Sequence, residues 1–219
     1  MRKHLFIAII LLSNTLAFAQ FELKGTMGIY FASIPSMQDY VNQNFAPSDD
    51  QLSSFVSSIM FSGEAGVFIS PSFETTLELA YQLYSYTNGS SSGQYDLTFS
   101  NVMPTVFAYY VIAGEGYNFK FGGGLGVRFV NVDESIPATG ITTTYNSVGY
   151  GIVGRIEGNT LLGSSVYANI GADIRYDANG EPENNGTPLQ NNLQDENVNF
   201  NSFSVGVRLG ITYIIGGNN

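Results

Sequence analysis

Glu64 lies seven residues before Pro71-Ser72 and Glu78 six after it, so a tight turn at that dipeptide could set two carboxyls nearly opposite one another. That is the arrangement from which a glycosidase draws its acid and its nucleophile. Glu74 is no substitute partner: four residues of extended chain put it about 13 Å from Glu78 at roughly 3.3 Å per residue. Lys24 or Lys120 beside the abundant serines offers the parts of a Ser-Lys nucleophile. Gly122-Gly123-Gly124-Leu125-Gly126 imitates a nucleotide loop but lacks the G-x-G-x-x-G spacing, and no helix pattern follows it. Asp177, Asn179 and Glu181 alternate as calcium ligands do, yet Gly180 is misplaced for an EF-hand loop and Pro188 stands where its last glutamate belongs. The sole histidine is His4 and there is no cysteine, so beyond the first residues the chain has no imidazole base and no thiolate.

The start of the chain reads as an export signal. Arg2 and Lys3 precede an apolar run from Leu5 to Leu12, and Ala17-Phe18-Ala19 is a small-x-small site, predicting cleavage before Gln20. The run is shorter than the about 20 residues of a membrane helix, and no later stretch reaches that length. The whole chain carries 8 basic and 18 acidic residues; loss of Arg2 and Lys3 leaves 6 against 18, a net charge of −12. Such a chain is not expected to bind nucleic acid. Without disulfides in an exported protein, stability must come from a core or from closure of a sheet. Residues 1–19 are thus expected to be a cleaved signal peptide and 20–219 a single domain.

The elements that would position the charged residues are strands. Phe203, Val205, Val207, Leu209, Ile211 and Tyr213 alternate with Ser202, Ser204, Gly206, Arg208, Gly210 and Thr212. Period-two alternation over about ten residues marks a strand with lipid on one face and a polar interior on the other. Eight such stretches are predicted, over 21–34, 57–70, 73–87, 95–112, 117–132, 144–157, 164–177 and 199–215. Short connections (Pro71-Ser72, Gly114-Glu115-Gly116, Asn159 to Gly163) alternate with long ones (35–56, 133–143, 178–198), and 88–93 is intermediate. Asn88-Gly89 and Asn185-Gly186 read as turns. Pro104, in a stretch of blurred phase, predicts a bulge or kink.

Following the phase, six cations face inward, Lys24, Lys120, Arg128, Arg155, Arg175 and Arg208, against Glu22, Glu64, Glu74, Glu78, Glu157 and Asp173. The remaining acids, Glu134 and Asp177 among them, fall to loops, turns or strand ends. Six against six predicts an ion-paired, closed lumen, because unpaired buried charge is very costly. Inward Gly122, Gly124, Gly126, Gly149, Gly151, Gly171, Gly206 and Gly210 would make room for the long side chains. An eight-stranded interior is only wide enough for its own side chains, so the Glu64 and Glu78 pair is expected to be bridged by Arg or Lys. In the first long loop, Ser36 could cap a helix with Met37, Tyr40, Val41 and Phe45 on one face, and Ser48 with Gln51 a second one before Leu52, Phe55 and Val56. That face would form a lid, or a pocket for a hydrophobic ligand.

From residue 21 to 215 the pattern resembles the small outer-membrane barrels of Gram-negative bacteria, the OmpA, OmpX and OmpW type. The fold class expected is all-β: a closed eight-stranded antiparallel transmembrane β-barrel with short periplasmic turns and longer extracellular loops. The resemblance implies insertion by the β-barrel assembly machinery and a polar lumen, with no catalytic residues carried over. Members end on an aromatic, usually Phe; here Tyr213 is followed by Ile214-Ile215-Gly216-Gly217-Asn218-Asn219. The expectation is a monomeric, non-enzymatic protein of the outer membrane, in contact with its lipid and lipopolysaccharide, without cofactor or metal, serving a structural or surface-interaction role. The alternative is OmpW-like passive uptake of small hydrophobic molecules. A soluble lipocalin-like barrel would need the opposite phase.

Overall fold

The computed structural model describes residues 20–46, 51–90, 93–137 and 140–216; the signal segment over 1–19 and Ser48 lie outside the described residues. Eight long strands form one ring: β1 (Phe21–Ser33), β2 (Val56–Ser70), β3 (Phe73–Ser90), β4 (Gly93–Gly114), β5 (Tyr117–Ser135), β6 (Thr142–Gly163), β7 (Val166–Ala178) and, after the two-residue strands β8 to β11 (183–184, 187–188, 190–191, 196–197), β12 (Ser202–Ile215). Neighbours pair antiparallel, and β12 closes on β1 in unbroken register from Phe21↔Ile215 to Ser33↔Phe203. Closure leaves no free edge among the membrane-length parts of the strands.

Two-residue turns at Pro71-Ser72, Glu115-Gly116 and Ser164-Ser165 close one end. Gly116 has φ +76°, a conformation that costs an L side chain energy and glycine nothing. The third turn lies beyond its expected place: Asn159, read as a turn residue, is an inward strand residue in β6, and a bulge at Leu161/Gly163 precedes the turn. Asn88-Gly89 is likewise strand, paired with Tyr95 and Gln94, whereas Asn185-Gly186 is a turn with positive φ at both residues. No register shift occurs at Pro104. Its pairing with Leu79 continues the β3 ladder, and the β4–β5 register is the same before and after it, because the missing N–H falls at a point where only two pairings with β5 lapse.

The outer face is apolar. Ile29, Leu77, Val106, Leu125, Ile170 and Val207 are each more than half exposed. Aromatic side chains rim this band, with Phe21, Phe73, Tyr110, Tyr117 and Tyr213 near the turns and Phe31, Phe129, Tyr150, Tyr176 and Phe203 at the other end. An exterior of this kind is the face a bilayer covers. Above Leu83, Val102, Phe129 and Val148 the outward residues of β3 to β6 turn polar (Ser85, Thr98, Asn131, Asn146), so these strands continue past the band into a raised wall.

One helix, α1 (Pro35–Asn44), folds into the mouth beside that wall. Its N-cap is Ile34 and Pro35 opens the first turn; Ser36 is inside the helix, and its Oγ accepts from the Asn199 N–H at 3.0 Å. No second helix forms over 51–56. Leu52 is instead tied to α1, its N–H donating to Asn42 Oδ1 at 2.7 Å and its carbonyl accepting from Gln38 Nε2 at 2.9 Å.

Candidate functional site

The pleat aims every second residue of each strand into the ring, and these side chains fill it in layers. Nearest the tight turns, Asn159 Nδ2 donates to Asn118 Oδ1 at 2.8 Å, while its own Oδ1 accepts from Asn169 at 2.9 Å and Thr212 at 2.9 Å. In the next layer Lys24 Nζ lies 3.2 Å from Glu22, 3.1 Å from Glu64 and 2.5 Å from Glu157. Lys120 Nζ lies 2.5 Å from Glu22, 2.6 Å from Glu74 and 3.8 Å from Glu157. Glu22, Glu64 and Glu157 bring carboxylate oxygens within 4.8 Å of one another, a spacing that would suit a metal ion, but the Lys24 ammonium lies among them. Each ammonium has three donors and no acceptor, so three carboxylates is its natural complement.

The layer above is built on arginine. Arg155 Nε and Nη2 grip both oxygens of Asp173 at 2.7 and 3.0 Å. Its Nη1 donates to Glu64 at 2.9 Å and to the Tyr109 hydroxyl at 3.0 Å, Nη2 lies 2.8 Å from Glu78, and the guanidinium stacks 4.2 Å from the centre of the Phe107 ring. Arg208 donates to Glu78 at 2.8 Å, and Tyr30 donates its hydroxyl to Asp173 at 2.7 Å. Arg175 makes weaker contacts, to Asp173 at 3.6 Å and to the Met60 sulfur at 3.1 Å. Two glycines show how such bulk fits. A Cβ on Gly206 would run into the Tyr30 ring, and one on Gly151 into Arg128 and Asp177.

Arg128 pairs with Asp177, which departs from the expected lumen set. Glu134 departs too. It is 2% exposed and accepts hydroxyl hydrogen bonds from Tyr40 at 2.6 Å and Tyr95 at 3.0 Å, with no ion pair among the described residues. Both acids keep the inward parity of their strands, Asp177 after Asp173 and Arg175, Glu134 after Val130 and Val132. Parity carried to the ends of β7 and β5 would have found them.

Met37, Tyr40 and Val41 are buried, and with Ile34, Val56, Tyr84, Leu97, Phe99, Val132 and Phe200 they form the apolar core of the mouth. Phe45 stacks on Tyr95 with ring centres 3.8 Å apart and meets Tyr40 edge-on. Glu134 lies five residues past Phe129, the last apolar outward residue of β5, and so beyond the membrane band. Burial raises its carboxyl pKa, more than the two tyrosine hydrogen bonds lower it. Burial, then the Glu134 charge, pushes the Tyr40 hydroxyl well above the ordinary phenol range.

The geometry narrows the chemistry. Glu64 and Glu78 are direct cross-strand partners, and Arg155 contacts both, so neither carboxylate faces a free space. Lys24 and Lys120 are engaged by carboxylates and not by serines. Asp177 and Asn179 turn into the barrel: Asn179 is fully buried and donates to the Phe200 carbonyl at 2.8 Å, while Glu181 accepts from Asn197 outside. These three do not converge.

No protein-family model and no curated protein matches the chain. Solved structures do. Ail, the attachment invasion locus protein of Yersinia pestis, in complex with the heparin analogue sucrose octasulfate, superimposes with a TM-score of 0.51 at 11% identity, over 90% of this chain and 99% of that one. The outer membrane protein OprG from Pseudomonas aeruginosa gives 0.51 at 12%, over 91% and 97%. A major outer membrane protein from Thermus thermophilus gives 0.50 at 12%, over 90% and 99%. At these identities the likeness is one of fold, and the chain has the fold of the small eight-stranded antiparallel barrels of the bacterial outer membrane.

Proposed function

We propose that the protein is a non-enzymatic, non-conducting barrel of the outer membrane, with a structural or surface-interaction role. The observation that carries this reading is the lumen: every Lys and Arg among the described residues is buried inside the ring and in contact with a carboxylate. Charges held this way leave no continuous water column, and the α1 core occupies the mouth above them. The packed face of α1 favours this closed reading over hydrophobe uptake, since Met37, Tyr40 and Val41 already bury one another's surface. In this reading outer-membrane lipid and lipopolysaccharide surround the apolar band, the β-barrel assembly machinery inserts the chain, and the barrel stands as a monomer. A polyanion of the kind bound to Ail would meet no accessible Lys or Arg among the described residues.

Purified barrel in a planar bilayer should show no steady conductance while its gel band shifts between unboiled and boiled samples. Large stable conductance from heat-modifiable protein contradicts the closed lumen. An unshifted band, with the protein recovered in the soluble fraction, contradicts the membrane barrel itself.

A further inference from the structure

A hollow of about 440 Å³ opens where α1 and the 196–202 segment meet the upper aromatic rim. Its volume falls within the roughly 300–1,000 Å³ of ligand pockets. The floor is a cross-strand aromatic pair, Tyr176↔Phe203, at the outer limit of the apolar band. The walls carry Asp39 from α1 and Glu196, Asn199 and Asn201 from the returning segment. Other grooves on the barrel, such as that lined by Phe121, Ile156, Ile174 and Val207, lie within the apolar band, the face a bilayer covers. The hollow above the rim mixes rings with hydrogen-bonding groups.

Four of its polar residues keep hydrogen-bonding capacity to spare. Asn199 uses its Oδ1 to accept from the Asn201 N–H at 3.2 Å, and Asn201 uses its own to accept from the Gly180 N–H at 3.0 Å, so both amide Nδ2 groups remain as donors. The Asp39 and Glu196 carboxylates have no ion-pair or hydrogen-bond partner among the described residues. The wall is nonetheless fixed, by the Asn199 N–H on Ser36 Oγ and by the Phe200 N–H on the Gly180 carbonyl at 2.9 Å. Two acceptors, two donors and an aromatic floor complement a hydroxylated ring, whose C–H face lies on the aromatics while its hydroxyls meet carboxylate and amide. Two carboxylates with no cation nearby repel sulfate or phosphate and favour an amine.

We propose that this hollow is a saccharide-binding site for uncharged or amine-bearing sugars, at the level of the outer-leaflet headgroups. Its depth relative to the bilayer rests on the membrane reading above; its chemistry does not. The sugar comes either from a glycolipid headgroup in the same leaflet or from a free oligosaccharide, and both present the same ring to the floor.

The test is saturation-transfer NMR on the refolded barrel in detergent, with a glucosamine trisaccharide, its N-acetylated form and a sulfated trisaccharide as probes. Transfer to the first two and none to the third is expected. Asp39→Asn with Glu196→Gln should weaken glucosamine binding at least tenfold, and Tyr176→Leu, which keeps the rim apolar, should weaken both sugars. Nanodiscs with and without an amine-bearing glycolipid separate the sources: competition by the lipid for the free sugar assigns the headgroup, and its absence assigns a soluble saccharide. No transfer to any sugar, or equal transfer in wild type and both variants, overturns the proposal, as does preferential binding of the sulfated probe. Heat-modifiable mobility of each variant is scored in parallel, so loss of the barrel is told apart from loss of the site.

Discussion

Removing Arg155 tests whether the lumen is a network or a set of independent pairs. Arg155→Leu deletes a guanidinium that donates to Asp173 twice, to Glu64 once and to Tyr109 once, and that lies 2.8 Å from Glu78. Each charge-assisted hydrogen bond is worth about 1.5–3 kcal/mol net, and breaking one side of a buried pair costs about 3–5 kcal/mol. The stranded acids are not left alone, however. Glu78 keeps Arg208 at 2.8 Å, Glu64 keeps Lys24 at 3.1 Å, and Asp173 keeps the Tyr30 hydroxyl at 2.7 Å. That redundancy caps the loss near the pair value, about 3–5 kcal/mol, well below the sum over separate bonds. Arg208→Leu removes one close contact and two at 3.7 and 3.8 Å, so it should fall at the lower end, about 3 kcal/mol. Ile156→Leu and Leu209→Met, on the lipid face beside these residues, should stay within about 0.5 kcal/mol. The chain has no Trp, so unfolding by urea in lipid vesicles is followed by far-ultraviolet circular dichroism and checked by the gel shift. Equal, small effects from all four substitutions would refute the phase assignment and the network together.

Two further outcomes follow from the carboxylates the lumen cannot match. Seven buried carboxylates, Glu22, Glu64, Glu74, Glu78, Glu157, Asp173 and Asp177, make ion pairs with six cations, and Glu74 contacts only Lys120, which Glu22 also holds. Glu74→Gln should therefore leave urea stability unchanged or raise it, while Glu78→Gln, which abandons Arg155 and Arg208, lowers it by about 3 kcal/mol; a loss of that size at Glu74 would contradict the count. Glu134 has a folded pKa above its unfolded value, so its contribution is fully present at acid pH and is lost as pH rises through the folded pKa, in a window extending upward from about 4.3. Amide exchange in α1 should quicken, beyond its intrinsic pH dependence, across that window; Glu134→Gln should remove the excess, and an unaltered excess in the variant would exclude Glu134 as its source.

The strands were legible because a barrel wall imposes period two on its residues wherever one face is lipid. The stretch from Phe203 to Tyr213 reads the same in sequence and in structure. Legibility failed where local residue type and parity disagreed. Asn159-Thr160 has turn composition, but Asn159 is needed inward to meet Asn118 and Asn169, and Asn88 is held in β3 by its bond to the Phe45 carbonyl, a contact 43 residues away. Pro104 signalled a defect that the ladder absorbs. In α1 the face of Met37, Tyr40 and Val41 was visible from spacing, but its Ser36 cap was not realised, because that hydroxyl serves the 196–202 segment. Long-range partners of this sort have no signature in the neighbouring sequence. Parity does persist to the strand ends, and it places Asp177 and Glu134 inward where their position near a loop suggests otherwise.

Charge in this protein is sorted radially. The ring gathers the cations because an interior crossed by carboxylates needs permanent positive charge that keeps its proton, and arginine supplies it with a fork matched to those oxygens. Among the described residues, the acids beyond the seven paired in the lumen and Glu134 have no ion-pair partner and lie in α1, the turns and the outer wall. One arrangement thus has two consequences. Inside, seven carboxylates share six cations, so the lumen tolerates losing the surplus acid Glu74 but not Glu78, which two arginines hold, nor Arg155, which holds three acids. Outside, every long-range electrostatic interaction at the mouth is with an acidic surface, which speeds the approach of cationic or amine-bearing molecules and slows that of phosphorylated or sulfated ones. Added salt should therefore weaken the encounter with an amine-bearing sugar at the Tyr176 and Phe203 floor, while leaving an N-acetylated one unaffected, because only the first carries a charge for the Asp39 and Glu196 carboxylates to draw in.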